Sequence, residues 1–280
     1  MNQEVFIPKL TQRSKLLNDL RLLVIKGDRI FEEKMNMESP HVHNYLEIYF
    51  NEYADVSFLV NGEVRHVGYG DAVVSRANDT HVCIYEKLKR HKYFCMWIDV
   101  DKDSPLLSFF HDENFSPFYS FEDDVKKQLL SLFKTLYSLN NNDSAELERA
   151  SCILQILNYF KYKSKKIERN YDIPKVFQDL VDYINTNFSN IASVKELSNY
   201  MHYSEATLYR IFKKHTGASP KQYLESIKLS NAAKLLKAGE SVKKACFESG
   251  FVDCSYFIVV FKKRFGITPN KYKNVVVKQL

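Results

Sequence analysis

FKKHTGASPKQY at residues 212–223 and FKKRFGITPNKY at residues 261–272 carry one pattern: an aromatic, two lysines, Gly, a Ser-Pro or Thr-Pro step and Tyr. The duplication extends backwards, so that SVKELSNYMHYSEATLYRIFKK (193–214) aligns with SVKKACFESGFVDCSYFIVVFKK (241–263), the second being one residue longer. Each copy predicts a capped helix, a tight turn, a second capped helix and a Gly-Pro exit. Ser193 with Glu196 three residues on reads as a capping box, and Ser204 and Asp253 read as caps of the second helices. His202 holds the first turn and Gly250 the second, where the chain must reverse. Between the copies, Ser219-Pro220 opens a long helix through Leu224, Ile227, Ala232 and Leu235 to Gly239. At ~1.5 Å per residue, about 18 residues span roughly 27 Å, enough to set two short helices in successive major-groove segments roughly 34 Å apart.

Charge follows the repeat. The chain of 280 residues is +6 overall, yet residues 175–280 hold 17 Lys and Arg against 8 Asp and Glu, which leaves the rest slightly acidic. A basic last third is what a polyanion partner requires, although charge alone fits a basic soluble surface as well. Two domains are expected at this length. The N-terminus MNQEVFIPKLTQRSK lacks an apolar core, and no apolar run approaches the roughly 18 residues of a membrane span, so a cytoplasmic protein without membrane contact is expected. Five cysteines with no C-x-x-C pair argue against a disulfide framework or a Cys-rich zinc site.

The first hundred residues read as β. LRLLVIK (20–26), YLEIYF (45–50), DVSFLV (55–60), EVRHV (63–67), DAVVS (71–75), HVCIYE (81–86) and KYFCMWID (92–99) are short and rich in β-branched and aromatic residues. Asn61-Gly62 predicts a type I′ hairpin turn. From Phe121 the period becomes helical, with one stripe at Val125, Leu129, Leu132, Phe133 and Leu136. A second runs through Leu147, Ala150, Leu154 and Leu157, widened by Ile153, Ile156 and Phe160. An αα-hairpin is expected, followed by a polar linker before Pro174.

The stretch Ser193–Tyr272 closely resembles the DNA-binding domain of the AraC/XylS family of transcription regulators. The resemblance is carried by Gly217-Ala-Ser-Pro220, Ala232-Ala-Lys-Leu-Leu236, Ser249-Gly250-Phe251, Ser255-Tyr256-Phe257, Phe261-Lys-Lys263 and Gly266-Ile-Thr-Pro269. The N-terminal half resembles the cupin-like sensor barrel of many members through HVHNYLEIYF, the Asn-Gly hairpin and GDAVVSRANDTH. The resemblance implies a two-domain α+β chain. Residues 1–162 would form a cupin-like β-barrel with an αα-hairpin, 163–173 a linker, and 174–280 an all-α domain of two helix-turn-helix motifs (193–214 and 241–263) joined by a long helix. It implies a DNA-binding regulator, most simply an activator, that contacts RNA polymerase, responds to a small effector such as a sugar, and dimerises through the 121–162 helices. No cofactor and no enzymatic activity are expected.

By the same resemblance, Glu205, Ala206, Thr207, Tyr209 and Arg210 read bases, with Arg210 suited to bidentate contact with guanine, while Ser204, Lys213 and Lys214 hold phosphates. The matching positions of the second copy are Cys254, Ser255, Tyr256, Ile258 and Val259, with Lys262 and Lys263 on phosphates. Here the chain departs from the family, since Val259 stands where arginine is usual and Ile258 where a polar residue is usual.

His41, His43 and Glu47 share strand parity, and His81 lies far downstream; together they have the spacing of a cupin metal site. Two readings stand. The four line an effector pocket, with Trp97 and, less directly, Tyr45, Tyr49 and Arg65 as ligand contacts; or they hold a metal, as in a cupin-type metalloenzyme. A regulator governed by a protein partner, as an adhesion or virulence activator would be, is the third alternative.

Overall fold

The computed structural model describes residues 12–14, 17, 20–30, 40–43, 45–85, 90–99, 105–112, 114–139, 143–167, 174–216 and 218–277. Gly217 of the first exit, Glu86 and linker residues 168–173 lie outside them.

The β region forms two sheets. Strands β1 (Gln12–Ser14), β2 (Leu20–Ile30), β3 (Leu46–Tyr53), β6 (Ala72–Ser75), β8 (Arg90–Asp99), β9 (Phe118–Ser120) and β10 (Lys165–Lys166) make one, in the order β1-β2-β8-β3-β6-β9-β10. Strands β4 (Val56–Val60), β5 (Glu63–Val67) and β7 (His81–Tyr85) make the other, in the order β5-β4-β7. All pairings are antiparallel, and β4 and β5 are joined by Asn61 and Gly62 at φ 47° and 97°, the two positive values a type I′ turn needs. Alternation sends Tyr49, Phe58, Val73, Tyr93, Cys95 and Trp97 into a core between the sheets. The opposite face of the large sheet, with Ile48, Phe50, Phe94 and Met96, receives helices α1 (Asp123–Ser138) and α2 (Glu146–Tyr162).

The α1 stripe Val125, Leu129, Phe133 and Leu136 is buried on that sheet, each side chain contributing about 1.5–3 kcal/mol. The stripe expected in α2 divides. Ile153, Ile156, Leu157 and Phe160 face the sheet and α1, but Leu147 and Leu154 point outward, 76% and 45% exposed, because that core takes only one side of α2. Lys165 and Lys166, inside the expected linker, extend the large sheet by pairing with Tyr119 and Ser120.

The helical part runs α3 (Lys175–Asn187), α4 (Val194–Met201), α5 (Glu205–Thr216), α6 (Pro220–Lys237), α7 (Val242–Glu248), α8 (Cys254–Phe265) and α9 (Pro269–Val277). Its second half has its own core of Leu229, Ala233, Leu236, Cys246, Phe257, Phe261 and Tyr272. Its first half does not. Phe177, Val181, Ile184, Leu208, Phe212 and Tyr223 share one cluster with Leu59, Val64, Val82 and Ile84, the outward side chains of β4, β5 and β7. The small sheet is therefore a platform with one face toward the large sheet and the other toward the helices.

Candidate nucleic-acid interface and buried histidine cluster

Helix α4 begins at Ser193, whose Oγ accepts the Glu196 N–H at 3.3 Å, while the Glu196 carboxylate reaches the N–H of Ala192 rather than that of Ser193. It ends at His202 in the left-handed region, φ 55°, and Ser204 Oγ then accepts the Thr207 N–H at 3.2 Å to start α5. With Leu208 and Phe212 fixed inward, Glu205, Ala206, Tyr209, Arg210, Lys213 and Lys214 stand exposed on the other side, and Thr207 is half-buried beside the cap. One surface of α5 thus offers a small residue, an aromatic hydroxyl and a guanidinium, followed by two ammonium groups.

The second unit repeats this geometry. Gly250 turns at φ 80°, and the Asp253 carboxylate accepts the N–H groups of Ser255 and Tyr256 at 2.7 and 3.3 Å. Phe257 and Phe261 face the core, leaving Ser255, Tyr256, Ile258, Val259, Lys262 and Lys263 exposed. Cys254 stands apart from that row, since its Sγ turns to Cys246 Sγ at 2.7 Å. The Tyr256 hydroxyl donates to the Glu225 carboxylate on α6.

Both units are held by α6, which opens with a full capping box between Ser219 and Gln222. From its middle the buried Lys228 ammonium donates to the carbonyl oxygens of Ile191 at 2.7 Å and Gly250 at 2.8 Å, the first ahead of α4 and the second in the turn before α8. Burial pushes the Lys228 pKa down.

His41, His43, Glu47 and His81 come together at the edge of the space between the sheets, their ligand atoms all within 4.8 Å of one another. Only Glu47 lies in β3 and His81 in β7; His41 and His43 sit on the chain just before β3, where His41 pairs with His81 through two backbone hydrogen bonds of 2.9 Å. Trp97 is buried beside them, its Nε1–H donating to Glu47 Oε2 at 2.7 Å, and the Cys95 thiol donates to Oε1 at 3.6 Å. His43 Nε2 lies 2.8 Å and His81 Nε2 3.6 Å from the same Oε2. Burial pushes the Glu47 carboxyl up, but the hydrogen bonds and charges of the two imidazoles outweigh it and hold the group well below its usual range. Burial likewise lowers His81, and Glu47 more than restores it, leaving a raised pKa. Of the other candidates, Tyr49 is buried with its hydroxyl 2.6 Å from His91 Nε2, Tyr45 is half-buried near His43, and Arg65 pairs with Glu63 on the far hairpin.

Comparison with known proteins places this arrangement. Residues 197–274 match the family described as a helix-turn-helix domain, which spans both units and α6. The chain is 24% identical over 256 residues to the transcriptional activator RhaR of Mannheimia succiniciproducens, covering 88% of this chain and 92% of that protein. The chain belongs to the AraC/XylS family. It is a DNA-binding transcription regulator of that family. A third match, 27% over 155 residues, is to the lactose operon transcription activator of Staphylococcus xylosus, and covers 54% of this chain and 55% of that protein's length. Among solved structures, ToxT of Vibrio cholerae aligns over 91% of this chain and 98% of its own at 13% identity, with a TM-score of 0.36.

In this AraC/XylS-family chain, sequence reasoning overlooked the residues that join the parts. Lys228 reads as one more lysine on a basic helix, and Ser226, Ser230 and Asn78 as ordinary polar residues. Ser226 and Ser230 share a face of α6 at i and i+4, which was the available signal. Their partners lie far away in sequence.

Proposed function

We propose that the protein activates transcription by binding promoter DNA chiefly through α5, under the control of a small molecule held by the N-terminal domain. The observation that carries this is the exposed row Glu205, Ala206, Tyr209, Arg210, Lys213 and Lys214, set against the buried Leu208 and Phe212. In this reading Arg210 donates to guanine, Tyr209 and Ala206 contact neighbouring bases, and Ser204, Lys213 and Lys214 hold phosphates. The second helix grips backbone through Lys262 and Lys263, while Ile258 and Val259, 39% and 65% exposed, suit thymine methyls and cannot donate to guanine.

The effector class follows the relative named for a lactose operon, so a sugar or related metabolite is the first to test. Dimerisation uses the outward face of α2, where Leu147 and Leu154 form an apolar groove with Leu17 and Ala150. RNA polymerase is the onward partner, and the protein works in the cytoplasm as a regulator and not as an enzyme.

The test is a footprint on the protein's own upstream region, with and without a panel of sugars, repeated over a salt series. Protection of two segments about one helical turn apart, an affinity that falls steeply with salt and a shift with one sugar are expected. Equal affinity for random DNA at every salt concentration would sink the reading.

A further inference from the structure

In the second helix-turn-helix two thiols meet across the turn. Cys246 lies in α7, fully buried in the core with Phe257 and Phe261, and Cys254 opens α8 directly after its Asp253 cap. Their sulfur atoms stand 2.7 Å apart, so a bond of about 2.05 Å needs a movement of under ~1 Å. Of the five cysteines only Cys254 is not buried; Cys83, Cys95 and Cys152 are closed inside the N-terminal part. The pair is therefore divided in role. Cys254 meets solutes first, while burial and the Cys254 sulfur beside it push the Cys246 thiol up and keep it protonated, within reach of its neighbour.

A bond between the two closes a ring around residues 247–253. That segment is already fastened. Gly250 turns at φ 80° and its carbonyl oxygen accepts the Lys228 ammonium at 2.8 Å, and the Phe251 N–H donates to the Cys246 carbonyl oxygen at 3.1 Å. Cys246 is held by the core as well. The shift accordingly falls on Cys254 and the first turn of α8, where Ser255 and Tyr256 stand exposed.

We propose that Cys246 and Cys254 are a reversible oxidation site for hydroperoxides, forming an intrachain disulfide that draws the start of α8 toward α7 and weakens its hold on DNA. In the first step the Cys254 thiolate attacks the terminal oxygen of the peroxide. The S–O bond forms, the O–O bond breaks, and the departing oxygen takes the proton the thiol gave up, leaving a sulfenic acid and an alcohol, or water from hydrogen peroxide. In the second step the Cys246 sulfur attacks the Cys254 sulfur, the S–S bond forms, and the hydroxyl leaves with the Cys246 proton as water. The two thiols lose two electrons to the peroxide, and a thiol reductant returns them. The oxidation site stands on the sulfur geometry alone; its effect on DNA rests on the contacts proposed for α8.

Full-length protein, reduced and then freed of reductant, is treated with hydrogen peroxide, quenched and alkylated under denaturing conditions. Trypsin releases residues 245–262 as one peptide with both cysteines. The expected product is that peptide unalkylated and lighter by two hydrogens, restored by dithiothreitol, with Cys83, Cys95 and Cys152 alkylated throughout. In Cys246→Ala the disulfide is lost and a dimedone adduct appears at Cys254; in Cys254→Ser neither forms. On the upstream region, peroxide should weaken protection of the α8 segment by about fivefold or more while that of the α5 segment persists, an effect reversed by dithiothreitol and absent in Cys254→Ser. A 245–262 peptide still alkylated at both cysteines after peroxide, or a sulfenic acid in the parent that never becomes a disulfide, overturns the site. A complete disulfide with unchanged protection overturns the effect on DNA. If neither the reduced nor the oxidised protein prefers the upstream region over random DNA, the proposed promoter binding fails, and the peptide masses still decide the oxidation site.

Discussion

The Lys228 ammonium donates to the carbonyl oxygen of Gly250 at 2.8 Å, and so fixes the turn of the second helix-turn-helix to the middle of the helix that leads from the first. The same nitrogen serves Ile191 ahead of the first unit, and no other described side chain hydrogen-bonds both of these positions. This one charge thus ties the entry to α4 and the turn before α8 to the same point of α6.

Lys228→Met keeps the aliphatic stem and leaves two carbonyls without their charged donor. A stability loss of ~1.5–3 kcal/mol in urea melts is expected, with protection lost from one of the two footprinted segments while the other persists. Undiminished protection of both segments would remove Lys228 from this role.

Gly250→Ala meets two obstacles at once. Its φ is +80°, and an added Cβ would lie 2.4 Å from the Ser189 carbonyl oxygen, a backbone atom that cannot swing aside. A loss of at least ~1–3 kcal/mol is expected by urea unfolding. Gly239→Ala is the control: its φ is +88°, but no atom lies within 4 Å, so it should cost less.

Arg210→Ala and Lys213→Ala should fail differently. The first is expected to lose ~1–3 kcal/mol of discrimination at one base pair, measured by competition with single-substitution sites. The second should weaken binding to all sequences alike and reduce the salt slope by about one. Identical specificity profiles for the two variants would contradict the division between base and phosphate contacts.

His215, at the end of α5, packs on the Phe177 ring with centroids 5.0 Å apart, and burial, helped by the neighbouring Lys214 charge, pushes its pKa down. The unfolded chain therefore takes up a proton before the folded one. Its contribution to stability is complete above pH about 6.5 and is lost as pH falls from there through the lower folded value. A His215→Gln variant should show a flatter fall of Tm between pH about 6.5 and 5 than the parent; parallel curves would place the acid sensitivity elsewhere.

Much of this molecule is local and therefore legible. Caps at Ser193, Ser204, Ser219 and Asp253, the Asn61-Gly62 turn and the inward positions of α5 and α8 depend on neighbours within four residues, and a sequence displays neighbours. The duplication exposed α5 and α8 as matching helices, whereas strand parity does not hold for His41 and His43, which lie ahead of β3 and come beside Glu47 only in the folded chain. Where reading failed, the reason was competition for a face. Leu147 and Leu154 belong to the same apolar pattern as Leu157, yet the core under α2 accepts one side only, and Cys254 was drawn from the exposed row toward Cys246.

The sequence by itself determined the two kinds of unit, their order and the side chains α5 turns outward, because periodicity and capping act over a few residues. Only the tertiary structure decided that the units are not independent. Hydrophobic burial is indifferent to sequence distance, so Leu59, Val82 and Ile84 could complete the core of helices more than ninety residues away, while Pro40 and Asn78 met hydroxyls on α6. That joint, invisible in the chain, places His41 one residue from a contact with α6 and α8.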